Sequence, residues 1–280
     1  MHEPGPETYH LEIEQWRAKR LAKLTAPDGW LSLVGLHWLE PGRNAIGNAA
    51  DNAILIERGP AHLGTIEVRD DGTLMFEPER GAGVLIDGEA RTSALLHDDR
   101  AQQPTRVSFG SVNFVVIDRG GRKALRVRDP DADTRTRFTG IESFAVDPSW
   151  CIEAEWIPFD PPHTLETMNV IGLLESYPAP GKAVFEREGL RCEVLPVVET
   201  PGDEALFLIF ADGTSGRETY GAGRFVYTEP PHDGRIVIDF NKAYNPPCVF
   251  TPFATCALAP PENRLELRVT AGEVKYRGGG

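Results

Sequence analysis

Cysteine is scarce in this chain, four residues in 280 with no dense spacing. That excludes the disulfide framework that staples small secreted folds. Basic residues are in deficit, 29 Lys and Arg against 42 Asp and Glu, for a net charge of −13. A chain this acidic repels phosphate backbones and anionic lipid, so neither nucleic acid nor a membrane is an expected partner. No apolar run approaches the ~20 residues of a membrane-spanning helix. The opening MHEPGPETYH lacks the basic and apolar regions of a signal peptide. Also missing are a phosphate-cradling loop and a dinucleotide fingerprint. The run Gly213-Thr214-Ser215-Gly216 lacks the spacing of a nucleophile elbow and reads as a turn. These absences point to a reduced, cytoplasmic protein. No motif names a cofactor, a metal or an oligomeric state.

What is present is apolar and turn-rich. With 41% apolar residues, 28 Gly and 23 Pro spread along the chain, the expectation is many short strands joined by tight turns. One helix is expected over Tyr9 to Leu24, carried by Leu11, Ile13, Trp16, Leu21 and Leu24 at helical spacing and ended by Pro27-Asp28-Gly29. The Trp-rich GWLSLVGLHWLEPG that follows reads as an apolar docking segment, with a pocket wall as the alternative.

From Gly42 to Gly140 short apolar runs recur at about ten-residue intervals, with Asp71-Gly72 and Asp87-Gly88 as hairpin turns. The span Phe138 to Pro162 reads as a connector because of Asp147-Pro148 and Asp160-Pro161-Pro162. Strands are expected beyond it, ending with Arg264 to Thr270, where Leu265, Leu267 and Val269 alternate with polar residues. Gly278 to Gly280 reads as a flexible tail. The expected fold is mainly β: an N-terminal helix and docking segment (1–41), a β-sandwich (42–140), and a second antiparallel sheet or barrel-like unit (141–280) packed closely with it.

Ile46-Gly47-Asn48, Asp51 to Leu55, His62 and Thr65 to Val68 give the stretch Gly42 to Asp118 a resemblance to a forkhead-associated domain. That family reads phosphothreonine with an Arg after the Ile-Gly pair and a Ser three residues before the His. Asn48 and Gly59 stand there instead, so the charge-assisted bonds to a phosphate are missing. The resemblance implies a scaffold, not a phosphopeptide reader.

The C-terminal half carries Thr219-Tyr220, Gly223-Arg224-Phe225, Asp239-Phe240-Asn241, Ala243 to Cys248, Ala254-Thr255-Cys256, Pro260 to Leu265 and Ala271-Gly272-Glu273. With Gly29-Trp30-Leu31 and Trp38-Leu39, this pattern resembles the domain-of-unknown-function family 1684 along nearly the whole chain; Ala257 stands where that family has proline. The resemblance brings no activity with it.

The residues themselves offer two readings. In one, Arg224 and Asp239 form a structural ion pair. In the other, Arg224 clamps a carboxylate or phosphate, and Asp239, Asn241, Tyr244, Asn245 and Cys248 line the same mouth at the end of the C-terminal β-unit. Cys248 lacks a nearby His to serve as base. Cys248 and Cys256, with seven residues between them, read as a thiol pair in preference to zinc ligands. His97-Asp98-Asp99 reads as a surface cluster. The leading expectation is a small-molecule site, for an anionic ligand or an unidentified enzyme activity. The alternative is a non-catalytic interaction module on the forkhead-associated-like scaffold.

Overall fold

Turn chemistry and strand alternation account for most of what the computed structural model, which describes residues 6–278, contains. The end of the expected tail, residues 279 and 280, lies outside the described residues. The chain separates into two compact units. One is Leu24–Phe138; the other joins Met1–Lys23 to Thr139–Gly280.

The first unit holds β1 (Leu33–Trp38), β2 (Gly42–Gly47), β3 (Ile54–Leu55), β4 (Gly64–Val68), β5 (Leu74–Pro78), β6 (Leu85–Ile86), β7 (Ala94–Leu95), β8 (Val107–Phe109), β9 (Val112–Arg119) and β10 (Arg122–Arg128). They form two five-stranded sheets, ordered β1-β10-β9-β8-β6 and β3-β2-β4-β5-β7. Inward residues of both sheets, among them Ile46, Ile66, Phe76, Phe114 and Val116, make one core, in which Phe76 meets Phe114 edge-on at 6.0 Å. At the Asp87-Gly88 turn both residues take positive φ, 52° and 82°, as a tight hairpin turn requires. The Trp-rich segment belongs to this sandwich, since β1 pairs with β10. Its indoles carry guanidinium caps, Arg126 over Trp30 at 5.3 Å and Arg122 over Trp38 at 4.3 Å. The His97-Asp98-Asp99 cluster is already matched with cations. Lys123 bridges Asp98 and Asp118, and Arg119 meets Asp99 at 2.8 Å. Asn48 spends its amide on the Glu57 carbonyl.

The second unit contains α1 (Pro6–Thr25), apart from its last turn, with β11 (Cys151–Met168), β12 (Leu174–Arg187), β13 (Leu190–Val194), β14 (Phe207–Phe210), β15 (Arg224–Tyr227) and β16 (Arg235–Asp239). Four strands form a sheet ordered β13-β12-β11-β16, and β14 and β15 form a separate ribbon. Phe240 centres the core, with Phe210, Trp150 and Phe185 rings at 5.2, 6.1 and 6.1 Å. The buried face of α1 is Tyr9 and Ile13, with Trp16 and Arg20 half-buried along it. Leu11 and Leu21 are exposed. Leu24, in the last turn, is fully buried, so the helix is oriented by Tyr9, Ile13, Trp16, Arg20 and Leu24 and not by Leu11 or Leu21.

Two local expectations fail here. The supposed connector 138–162 runs into β11, which carries Asp160-Pro161-Pro162 within it. Pairing with β12 breaks between Pro158 and His163, so the prolines sit at an irregularity where no ladder donor is needed. The expected strand Arg264–Thr270 has the right alternation, with Leu265, Leu267 and Val269 buried, yet it forms no continuous strand. The Val269 carbonyl is claimed by a side chain.

Candidate functional site

That side chain is Arg224. It opens β15 opposite Phe210 and is wholly buried. Its Nη2 donates to Asp212 Oδ2 and to the Val269 carbonyl, both at 2.9 Å. Its Nη1 donates to the carbonyls of Ala271 and Glu273. One guanidinium thereby does for segment 269–273 what a neighbouring strand would do. Burial presses the arginine's proton affinity down, and the charge of Asp212 opposes it. Asp212 is fully occupied as well, its Oδ1 accepting from the backbone and hydroxyl of Thr214 at 2.7 and 2.6 Å. Arg224 is therefore a brace with no surface for a ligand. Its ionic partner is Asp212, not Asp239, and both corrections follow from the depth at which β15 lies.

Asp239 and Asn241 belong to a second cluster. The hydroxyl of Tyr9 donates to Asp239 Oδ1 at 2.7 Å and accepts from Asn241 Nδ2 at 2.9 Å. Lys242 lies 3.4 Å from Asp239 Oδ2 and 2.7 Å from Glu12. This network fastens α1 to the end of β16. Burial and the Asp239 carboxylate raise the Tyr9 phenol well above its ordinary value, so it stays protonated.

Tyr244 and Asn245 form part of a third cluster, built around Arg20 of α1. The guanidinium lies 4.7 Å from the Tyr244 ring centroid, donates to the Asn245 carbonyl at 3.0 Å and meets Glu273 Oε1 at 3.3 Å. The other Glu273 oxygen accepts from the Asn245 backbone at 2.7 Å. Burial raises the Glu273 carboxyl above the usual range, with Arg20 and the Asn245 N–H pulling the other way. Beside this cluster a groove of about 360 Å³ is lined by Arg17, Arg20, Leu21, Ile141, Ser143 and Glu273, among others. Bonds from Phe144 N to Gly272 O and from Val274 N to Glu142 O tie 142–144 to 272–274 along it. Among the described residues, Arg17 Nε is buried without an acceptor and Asn245 Oδ1 without a donor. An adjoining cleft of about 390 Å³ includes Lys275 and Arg277.

Cys248 stands apart from these three clusters, hydrogen-bonded to Tyr220 and Cys256. The six residues expected to share one mouth thus fall into four neighbourhoods. The sequence reading missed Arg17, Arg20, Asp212 and Tyr9. The two arginines look like ordinary solvated helix positions, although Ile13 and Leu24 at helical spacing already marked the buried face. Among the described residues no group of three or more His, Cys, Asp or Glu could hold a metal ion, and no helix is long and apolar enough to cross a membrane.

Comparison with known proteins gives a family and two solved structures. The family model described as "Protein of unknown function (DUF1684)" matches residues 136–274. An uncharacterized protein of Haloarcula marismortui is 30% identical; the match covers 50% of this chain and 78% of that one, with a TM-score of 0.43. The FHA-2 domain of a Mycobacterium tuberculosis ABC transporter is 30% identical over 31% of this chain and 77% of its own, with a TM-score of 0.24. No curated protein matches.

Proposed function

We propose, for a chain that belongs to the DUF1684 family of proteins of unknown function, that its second unit binds a small anionic molecule, a carboxylate or phosphate compound, in the groove beside Arg17 and Arg20. The observation that carries this reading is the pair of guanidinium groups that line the groove, their side chains still 23% and 14% exposed. Arg17 uses Nη1 on Glu14 and Nη2 on the Phe144 carbonyl, and Arg20 uses Nε and Nη2. An anion in the groove would be held by the two charges and the remaining N–H capacity, with charge assistance. Arg20 is held in place by the Tyr244 ring and Glu273, so little ordering remains to be done on binding. The groove volume of about 360 Å³ falls at the small end of the ~300–1,000 Å³ typical of ligand sites. Of the residues expected from sequence, Tyr244 and Asn245 carry over only as supports that hold Arg20. If catalysis accompanies binding, Glu273 is the proton-handling group, because its carboxyl holds a proton more tightly than a solvated one.

The test is a thermal-shift series at low ionic strength with inorganic phosphate, citrate and short dicarboxylates. At 100 times its Kd a ligand adds about 2.7 kcal/mol of stability, readily seen as a rise in Tm. The expected result is a rise for at least one anion that shrinks in Arg17→Gln. No rise with any of them, or an unchanged rise in the variant, would refute the proposal.

A further inference from the structure

We propose that Cys248 is a hydroperoxide-reactive cysteine and that Cys256 is its resolving partner, so that oxidation closes a disulfide between them. The backbone N–H of Cys248 donates to Cys256 Sγ at 3.2 Å, which places the second sulfur against the atoms of the first residue. Cys248 Sγ lies 3.6 Å from the Tyr220 hydroxyl. Neither cysteine is in a disulfide. Cys248 is partly accessible and Cys256 is buried, the division of labour that a reacting and a resolving thiol require. Neither sulfur is loosely held. Pro246 and Pro247 stiffen the turn that carries Cys248. Cys256 is anchored through its carbonyl, which accepts from Val170 N at 2.9 Å.

The microenvironment points the same way. The Cys248 thiol is lowered by its hydrogen bond with Cys256, with burial opposing and Tyr220 assisting. Tyr220 is itself raised by burial and by Cys248; it therefore keeps its proton and can donate to a thiolate. Cys151, at the surface, has its thiol pushed up to about 11 by burial and the Asp239 carboxylate. Reactivity follows the thiolate, so Cys248 reacts ahead of the more exposed Cys151.

The chemistry balances with a hydroperoxide as the oxidant. The Cys248 thiolate attacks one peroxide oxygen; an S–O bond forms as the O–O bond breaks. The departing oxygen takes a proton and leaves as water or an alcohol. The Cys256 sulfur then attacks the sulfenic sulfur, giving up its proton as hydroxide leaves to form water. Two thiols lose two electrons and two protons in all, and the peroxide is reduced.

The experiment treats the reduced full chain with a slight molar excess of hydrogen peroxide and maps peptides by mass spectrometry. A Cys248–Cys256 crosslink is expected, with Cys151 still a thiol. In Cys256→Ser the oxidation is expected to stop at a Cys248 sulfenic acid, captured by dimedone, and Tyr220→Phe is expected to slow it several-fold. The crosslink in the unmodified chain decides the matter even if a variant fails to fold. Oxidation of Cys151 ahead of Cys248, or Cys248 left reduced in the folded protein, or Cys248 over-oxidised without a crosslink, would overturn the assignment.

Discussion

Arg224 and Asp212 form an ion pair 2.9 Å long in which neither side chain reaches solvent. The pair does more than neutralise charge, because the same guanidinium also holds the carbonyls of Val269, Ala271 and Glu273. Losing it would release the segment that walls the candidate groove.

Removing one partner of such a pair strands a buried charge, at about 3–5 kcal/mol. Arg224→Met is therefore expected to destabilise the second unit by that amount in urea unfolding. Arg224→Lys should recover little, since a single ammonium cannot reach Asp212 and several carbonyls at once. Full recovery by lysine would show that charge alone matters.

Tyr9→Phe removes the hydroxyl shared by Asp239 and Asn241 and leaves a buried acceptor short of a donor. The expected cost is about 1–3 kcal/mol. Hydrogen exchange should report it as faster exchange over residues 9–23, with the first unit unchanged. Unaltered protection of the helix would contradict the role given to this network.

Glu273 sets a pH dependence. Its folded-state pKa lies above the ordinary 4.5, so the folded protein binds more protons there than the unfolded chain. The stability linked to that proton is fully present below about 4.5 and is lost as pH rises through the raised folded value. Compared with Glu273→Gln, the parent is expected to lose stability over that rise, while the variant lacks this slope. Parallel pH profiles for the two would contradict it.

Lys123 is the cation shared by Asp98 and Asp118, and both carboxyls sit below their ordinary value: burial raises them, and the ammonium and backbone donors more than offset it. Their contribution is present above about 3.8 and falls away as pH drops through the lowered values. Lys123→Met is expected to cost the first unit about 1–3 kcal/mol at neutral pH, with a smaller difference from the parent in acid. Equal stability at neutral pH would show that the cluster is only a surface ornament of charge.

The mainly β character, the single long helix and the Asp87-Gly88 turn were legible because each is written in local chemistry: alternation, helical spacing, and a glycine free to take positive φ. The strand expected at 264–270 was half legible. Its alternation reports burial, but the partners of its carbonyls, Gly213 N for Leu267 and Arg224 for Val269, lie some forty to fifty residues earlier, and no local pattern records that. The same limit hid the candidate groove. Arg20 reads as a solvated helix residue, and only the tertiary fold sets it over Tyr244 and beside Glu273. Arg224 stands beside Phe225 and Tyr227 in the sequence, and its depth cannot be read from neighbours that suit an edge and an interior equally well.

The most direct measurement is a crystal structure soaked with the anion that stabilises the protein most. The account predicts density in the groove, with an anionic oxygen within hydrogen-bonding distance of Arg17 and Arg20. An anion bound elsewhere, with the groove holding only water, would contradict it.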